Sequence, residues 1–140
     1  MYFELLKASS RDMQLSSGVA HIWLGVLDQP ESVYSRFLGV LSNDEHGRAR
    51  RFYFLRDRKR FIARYGMLRM LLGSYLGVKA RDIRLNFGMH GKPEIAKKFG
   101  NKTIHFNISH SDDYALFVFD RDNEIGADLE RIREIPEMEQ

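Results

Sequence analysis

Apolar and polar positions divide the chain into a helical first part and a strand-rich second part. Strict alternation over Val19–Leu27 predicts a β-strand. Apolar residues spaced three and four apart then predict helices over Asp28–Leu41 and from about Asp57 to Leu76, and the capping-box spacing of the sequence SNDE starts another helix at Ser42. Gly77 supplies a C-terminal stop for the longest helix. The apolar stripe of that helix comprises Phe61, Tyr65, Leu68, Leu72 and Tyr75.

The second part changes to the period of a β-sheet. Strands are predicted at Asp82–Phe87, Thr103–Ser111 and Tyr114–Asp120, with a turn-rich loop at Gly88–Pro93. Tyr114–Asp120 is apolar on both faces, which predicts a central strand. The sequence DRDN predicts a turn into a last strand, Glu124–Ile132, so that these two strands would form an antiparallel hairpin. Together the patterns predict an α+β fold, with helices packed on a mainly antiparallel sheet.

The predicted elements all lie within residues 19–132. Residues 1–18 are an N-terminal extension with no assigned element, and residues 133–140 form a polar tail or linker. With 140 residues, 44% of them hydrophobic, the chain is long enough for one globular domain with its own core.

Composition also restricts the expected cellular compartment and the kinds of functional site that the chain can contain. No apolar run reaches the roughly 18 residues that a membrane span needs, and Glu4 interrupts the first apolar run, which does not fit a signal peptide. The expected location is therefore cytoplasmic. The chain has no cysteine, which excludes disulfides, thiolate metal sites and a cysteine nucleophile.

The net charge of +3 is unevenly distributed. Arginine and lysine concentrate in the stretch from Arg48 to Arg69. Such a stretch is either the solvated face of a helix or a surface for an anionic partner: a nucleic acid, an acidic protein or a phosphate-bearing small molecule.

Two carboxylates share one face of the predicted last strand. Residues two apart in a strand point to the same side, so Asp128 and Glu130 would lie together next to Gly126. One interpretation is a solvated strand face, neutralised by Arg131 or Arg133. The other is a Mg²⁺ site, because Cα atoms two apart are roughly 6.5–7 Å from each other and Mg²⁺ typically takes one or two carboxylates together with water and substrate phosphate. The pair by itself leaves both interpretations open.

Two loop motifs carry groups that can bind phosphate. HGKP places Lys92 beside His90 on a tight loop, and FNISHS places Ser109, His110 and Ser111 at the end of a strand. Ammonium, imidazole and hydroxyl groups all bind phosphate oxygens, although each motif alone also fits a solvated loop or a capped turn. Further basic candidates near the start of the longest helix are Arg56, Arg58 and Arg60.

Taken in order, the motifs R-x-R-F…L-R, G-K-P, F-N-I-S-H-S and I-G-x-D-x-E resemble the N-terminal half of a two-domain, Sfp-type 4′-phosphopantetheinyl transferase. The resemblance covers about residues 20–132. It implies the α+β fold of one half of such an enzyme. It also implies a Mg²⁺-dependent reaction that moves phosphopantetheine from coenzyme A to a serine of an apo acyl or peptidyl carrier protein.

The resemblance assigns a role to each candidate residue. Asp128 and Glu130 would bind Mg²⁺ and act as the catalytic carboxylates. Lys92, Ser109 and His110 would hold phosphates of coenzyme A. Arg60 would reach the 3′-phosphate, with Arg56 and Arg58 as competitors for that role.

The resemblance also implies a part that this sequence does not contain. The family's C-terminal half carries a W-x-x-K-E-A-type motif whose glutamate completes the metal and base set, whereas the single tryptophan here is Trp23. The chain would then be one half of a pseudo-dimer, with its tail leading toward the other half, and would transfer weakly or not at all alone. A separate C-terminal half or a second copy of the chain are the partners this suggests.

Two alternatives belong to other classes of function. One is a non-catalytic interaction or coenzyme A-binding half-domain. The other is a basic nucleic-acid-binding module, which matches no groove-reading signature and leaves Asp128 and Glu130 without a role. Fatty-acid, polyketide and non-ribosomal peptide pathways all fit the carrier-protein interpretation.

Overall fold

The computed structural model describes residues 14–96 and 104–132. The described residues form three helices and five strands, joined by one-turn 3₁₀ helices at Ala80–Asp82 and Met89–Gly91. The elements, in chain order, are β1 (Ala20–Val26), α1 (Glu31–Leu38), α2 (Asn43–Arg50), α3 (Leu55–Leu76), β2 (Leu85–Phe87), β3 (Pro93–Ile95), β4 (His105–Ser111) and β5 (Tyr114–Asp120). The α+β fold predicted from the sequence is confirmed.

The main sheet has three antiparallel strands in the order β1-β5-β4. Strand β5 is central, as predicted, because Phe117 lies between Trp23 of β1 and Ile108 of β4 in the register. Neighbouring residues Phe117, Val118 and Phe119 are all buried, so both faces of this strand are covered. Its continuous apolar run follows from that position.

The predicted hairpin between Tyr114–Asp120 and Glu124–Ile132 is wrong. Both edges of β5 are already paired, to β1 and to β4, so the hairpin instead joins β4 to β5 through Asp112 and Asp113. After β5, the Asp120 carboxylate accepts hydrogen bonds from the backbone N–H groups of Asp122 and Asn123 at 2.9 and 2.8 Å. This cap turns the chain out of the sheet, and residues 124–132 form no strand.

A second, two-stranded sheet pairs β2 with β3 around the HGKP loop. The backbone N–H of Gly88 donates to the carbonyl oxygen of Lys92 at 2.9 Å, which closes the loop. His90 and Gly91 adopt positive φ angles of 64° and 72°. A histidine in this region is uncommon and is held there by the tight turn.

Helix α3 is the centre of the core. Its 22 residues end at Gly77, whose φ of 70° gives the left-handed C-terminal stop that the sequence predicts. All five residues of the predicted apolar stripe are buried. Gly66 lets α1 approach closely, because a Cβ there would lie 2.5 Å from the side chain of Phe37. No helix among the described residues is long and apolar enough to cross a membrane.

A buried ion pair connects α2 to α3. The Ser42 hydroxyl accepts from the Glu45 backbone N–H at 3.1 Å and donates to the Glu45 carboxylate at 2.6 Å, so the predicted N-terminal cap of α2 forms. Arg69 donates to both oxygens of that carboxylate at 2.5 Å. The same guanidinium donates to the carbonyl oxygens of Ala80 and Ile83. One arginine thus fixes α2, α3 and the connection to β2.

A polar contact joins the single tryptophan to α3. The indole N–H of Trp23 donates to the Tyr75 hydroxyl at 2.8 Å, and that hydroxyl lies 2.7 Å from Nδ1 of His21. Burial raises the pKa of Tyr75 to about 12, so the phenol stays protonated and can donate to the imidazole. Trp23 therefore has a structural role between sheet and helix.

Part of the predicted N-terminal extension packs on the domain. Leu15 lies against the core, and the Ser17 hydroxyl donates to the Asp122 carboxylate at 2.7 Å. Residues 1–13 and the predicted tail, 133–140, lie outside the described residues. The division at residues 18 and 132 stays a prediction.

Candidate functional site

Strand β4, which carries the FNISHS motif, serves two neighbours with alternate side chains. Phe106, Ile108 and His110 line a cavity beside α3. Asn107 and Ser109 bond to the segment that follows β5, and Asn107 also lines the cavity. The two residues that bond to the segment are two apart, as expected for one face of a strand.

The segment 124–132 is held along β4 by side chains rather than by a backbone ladder. The Ala127 backbone N–H donates to Oδ1 of Asn107 at 3.1 Å, and the Leu129 backbone N–H donates to Oγ of Ser109 at 2.8 Å. Two side-chain oxygens thus take the place of the carbonyl oxygens of a partner strand. Ser109, predicted to bind phosphate, uses its oxygen as an acceptor for this segment.

The spacing of these hydrogen bonds keeps the alternation expected of a strand. Ala127 and Leu129 are partly buried, whereas Gly126, Asp128 and Glu130 are exposed. The predicted placement of the two carboxylates on one face is therefore confirmed, although the segment is not a β-strand.

The two carboxylates carry no ion pair with any described residue. Arg131, one of the residues expected to neutralise them, instead donates to Asp112 at 3.2 Å. Arg133, the other, lies outside the described residues. The two carboxylates are therefore exposed and have no counter-charge among the described residues, which fits both a solvated face and a cation site.

The chemistry of this pair fits Mg²⁺ better than a transition metal. Within residues 14–96 and 104–132, no cluster of three histidine, aspartate or glutamate side chains could enclose a metal ion. Two exposed carboxylates do supply the hard oxygen ligands that suit Mg²⁺, which completes its shell with water and phosphate. The roles of Asp128 and Glu130 as Mg²⁺ ligands stay a prediction.

A cavity of about 490 Å³ lies beside the carboxylate segment. Glu130 lines it together with Ser111, the Asp112–Asp113 turn and Tyr114. The cavity thus combines several carboxylates with an apolar wall from Leu24 and Leu129.

A second cavity, of about 270 Å³, is basic. Lys92 and His110, which lie far apart in the sequence, line it together, as do His90 and Arg64. None of the described residues that line this cavity is acidic. We call this group of four side chains the basic cluster. The structure therefore brings two of the predicted phosphate-binding residues to one place.

Loss of hydration lowers the pKa values of two side chains in the basic cluster. Partial burial lowers the pKa of the Arg64 guanidinium. Burial, and then the nearby charge of Arg64, lower the pKa of His110. An imidazole in this position is neutral near pH 7 and can gain a proton when an anion arrives.

Arg60 lies elsewhere. It donates two hydrogen bonds, each 2.9 Å long, to the carboxylate of Asp28, and it lines neither cavity. This pairing raises the pKa of Arg60 and lowers that of Asp28. The predicted contact between Arg60 and a 3′-phosphate stays a prediction that would require this pair to open.

The two competing arginines also have local contacts. Arg56 lies 3.8 Å from Asp57, and Arg58 donates to the carbonyl oxygen of Phe52 at 3.3 Å. Arg48 pairs with Asp44 at 3.0 Å. The arginine-rich stretch is therefore partly neutralised by the fold itself rather than one continuous free basic surface.

Sequence reasoning missed two residues of this site. Arg64 lies one helical turn after Arg60, in a stretch where arginine is too common to single out one position. Asn107 lies two residues before Ser109, so its equivalent position on the same face of β4 was the available signal.

Comparisons with known proteins identify the family of this chain. The family model for the N-terminal part of 4′-phosphopantetheinyl transferases matches residues 29–121. The 4′-phosphopantetheinyl transferase HetI of Nostoc sp. is 40% identical over 128 residues, which are 91% of this chain and 54% of that protein.

More distant relatives match the same part of the chain. A putative 4′-phosphopantetheinyl transferase of Synechocystis sp., slr0495, and the 4′-phosphopantetheinyl transferase Sfp of Bacillus subtilis are each 31% identical over 109 residues, or 78% of this chain. These matches cover 43% and 46% of the two proteins. The chain thus spans about half the length of these curated relatives. It belongs to the 4′-phosphopantetheinyl transferase family, and residues 29–121 correspond to the N-terminal part of that family.

Proposed function

We propose that this chain is the coenzyme A- and Mg²⁺-binding half of a 4′-phosphopantetheinyl transferase. The observation that carries the proposal is the arrangement around β4. One side has a cavity lined by basic side chains and no described acidic one. The other has two exposed carboxylates with no counter-charge among the described residues. A diphosphate bound with a divalent cation needs both kinds of group close together.

In this proposal, the basic cluster binds phosphate groups of coenzyme A through Lys92 and His110. Asp128 and Glu130 hold Mg²⁺, which when bound neutralises negative charge on the diphosphate. Asn107 and Ser109 keep those carboxylates on one face through the two hydrogen bonds to the segment backbone. Such groups lower a phosphoryl-transfer barrier by positioning and charge neutralisation.

The reaction breaks the bond between the pantetheine phosphate and the adenosine bisphosphate. The hydroxyl oxygen of a carrier-protein serine forms a new bond to the pantetheine phosphorus, and adenosine 3′,5′-bisphosphate leaves. The serine proton must pass to a base. By the family resemblance, a glutamate of a C-terminal half supplies part of that base set, so we expect weak or no transfer by this chain alone.

Calorimetric titration of coenzyme A, with and without Mg²⁺, tests the proposal. We expect Mg²⁺ to strengthen binding to the unaltered chain and to have no effect in Asp128→Ala. The matched control is Glu124→Ala, which removes another exposed carboxylate of the same segment. An affinity for coenzyme A that does not depend on Mg²⁺, or that falls as much in Glu124→Ala as in Asp128→Ala, would contradict the proposal.

A transfer assay with an apo carrier protein tests the half-enzyme part separately. Rapid Mg²⁺-dependent turnover by the isolated chain would show that a second half is unnecessary. Tight coenzyme A binding without transfer is the expected result.

A further inference from the structure

The family motifs leave Arg64 without a role, yet it is an unusual charge in this fold. It lies on α3 between the buried residues Ala63 and Tyr65, and its side chain is partly withdrawn from water. Its guanidinium carbon lies 5.5 Å from the ring centroids of both Phe61 and Tyr65. These rings orient the guanidinium but supply no hydrogen-bond acceptor.

No described carboxylate or carbonyl oxygen accepts a hydrogen bond from Arg64. Two other arginines with little exposure have carboxylate acceptors: Arg60 has Asp28, and Arg69 has Glu45. Arg58 donates to the carbonyl oxygen of Phe52. The Arg64 side chain is only partly buried, and among the described residues the fully buried side-chain nitrogen without a partner is Nε of Arg58, not a nitrogen of Arg64. The Arg64 guanidinium keeps its charge, because arginine stays protonated in proteins. With no acceptor among the described residues, a partly buried cation that lines a cavity is suited to an anionic ligand in that cavity.

The surroundings specify the chemistry of that counter-ion. Arg64 lines the 270 Å³ cavity together with Lys92, His90 and His110, and no acidic residue is among the described lining. Arg64 and Lys92 contribute two fixed positive charges, and His110 can add a third by taking up a proton. A phosphate group matches this set, because it carries up to two negative charges and accepts two hydrogen bonds from a guanidinium fork.

We propose that Arg64 is a phosphate-binding residue of the basic cluster, and that a phosphate group of the bound ligand is its missing partner. The identity of the ligand as coenzyme A rests on the proposed function. The anion site itself rests on the cavity and on the unpaired guanidinium. Arg64 would contact the ligand directly, whereas Phe61 and Tyr65 would hold its orientation.

Two substitutions separate the charge of Arg64 from its packing. Arg64→Met keeps a long apolar side chain and removes the charge, and Arg64→Lys keeps the charge. Arg81→Met is the matched control, because Arg81 is exposed and does not line the cavity. Circular dichroism and urea unfolding verify that each variant is folded.

The measurement is calorimetric titration with coenzyme A, 3′-dephospho-coenzyme A and inorganic pyrophosphate. We expect Arg64→Met to bind coenzyme A about 10- to 100-fold more weakly, since hydrogen bonds to charged groups carry that much affinity. Arg64→Lys should keep most of the affinity, and Arg81→Met all of it. Weakening of coenzyme A alone would assign Arg64 to the 3′-phosphate, and equal weakening of both nucleotides would assign it to the diphosphate.

The probes also separate this inference from the proposed function. The unaltered chain could bind pyrophosphate but not coenzyme A, while Arg64→Met no longer binds pyrophosphate. That result would support the anion site and contradict the proposed function. If folded Arg64→Met binds coenzyme A as tightly as the unaltered chain, the inference is overturned. Failure of the unaltered chain to bind any of the three probes would overturn it as well.

Discussion

Two polar regions of this small domain differ in whether their charged side chains have hydrogen-bonding partners. Beneath α2, the side chains of Glu45 and Arg69 are 1% and 2% exposed, and their charged groups are hydrogen-bonded to each other, to Ser42 and to backbone carbonyls. Around β4, Arg64, Asp128 and Glu130 have no such partner among the described residues. Buried polar groups in folded proteins are normally satisfied. The first region therefore serves the fold, whereas the proposed function assigns the charges of the second region to a ligand.

The contrast is sharpest between two arginines of the same helix. Arg64 and Arg69 both lie on α3, within two turns of each other. Arg69 makes hydrogen bonds to one carboxylate and two carbonyl oxygens, whereas the Arg64 guanidinium carbon lies 5.5 Å from the centroids of two aromatic rings. Residue type and helix are the same, so the differences in burial and in partners distinguish a structural arginine from a candidate binding residue.

The largest expected effect is on stability. Arg69→Met leaves the buried carboxylate of Glu45 without its counter-charge, which should lower the free energy of unfolding by about 3–5 kcal/mol. Arg64→Met should change it by less than about 1 kcal/mol, because it breaks no pair. Urea unfolding followed by circular dichroism measures both values.

A double variant verifies the cause. Replacing both partners, Glu45→Leu with Arg69→Met, should cost less than Arg69→Met alone, because no buried charge is then left unpaired. If Arg64→Met proves as destabilising as Arg69→Met, the distinction between the two regions is wrong.

A medium effect is expected at the hydrogen bonds that hold the carboxylate segment. Asn107→Ala and Ser109→Ala each remove one acceptor for a backbone N–H, a loss of about 1 kcal/mol. Amide hydrogen exchange at Ala127 and Leu129 should therefore accelerate by roughly fivefold per variant, while exchange in β5 stays nearly unchanged.

This prediction also has a functional measurement and a control. Loosening the segment should weaken the Mg²⁺ dependence of coenzyme A binding, because Asp128 and Glu130 lose their fixed register. Asn86→Ala, on the exposed face of β2, should alter neither quantity. Unchanged exchange at Ala127 in Asn107→Ala would show that the side-chain hydrogen bond does not hold the segment.

The sequence predicted the parts of the fold that repeat over many residues. The stripe of α3, the alternation of β1 and β4 and the continuous apolar run of β5 each extend over seven or more positions, which is enough for a pattern to be recognised. Strands β2 and β3 have three residues each, too few to show any period. The paired sheet around HGKP was consequently predicted only in part.

The site shows the same limit for contacts between distant residues. Alternation correctly placed Asp128 and Glu130 on one face, but it could not reveal that Asn107 and Ser109, twenty residues earlier, replace a partner strand. The ion pairs could not be predicted either, because their partners lie far apart in the sequence: Asp28 lies 32 residues from Arg60, and Glu45 lies 24 residues from Arg69. Without these distances, the unpaired Arg64 could not be recognised among the many arginines of its stretch.

The smallest expected effect is a shift in the titration of His110. Burial, followed by the charge of Arg64, lowers its pKa, and the other titratable groups that line its cavity are Tyr65 on α3 and His90 and Lys92 on the loop. Because the folded pKa lies below the usual value of about 6.5, the unfolded chain binds more protons as the pH falls below that value. The contribution of this group to stability is thus present above about pH 6.5 and is lost toward lower pH.

Removing the charge of Arg64 should reduce this shift. In Arg64→Met the His110 pKa should rise toward its ordinary value while staying below it, because burial remains, and Arg81→Met should leave it unchanged. Adding pyrophosphate to the unaltered chain should raise it as well, since an anion in the cavity stabilises the imidazolium. NMR titration of the imidazole resonances measures all three. A His110 pKa that responds to neither Arg64→Met nor pyrophosphate would mean that these groups do not share one electrostatic site, and the two arginines of α3 would then differ in packing alone.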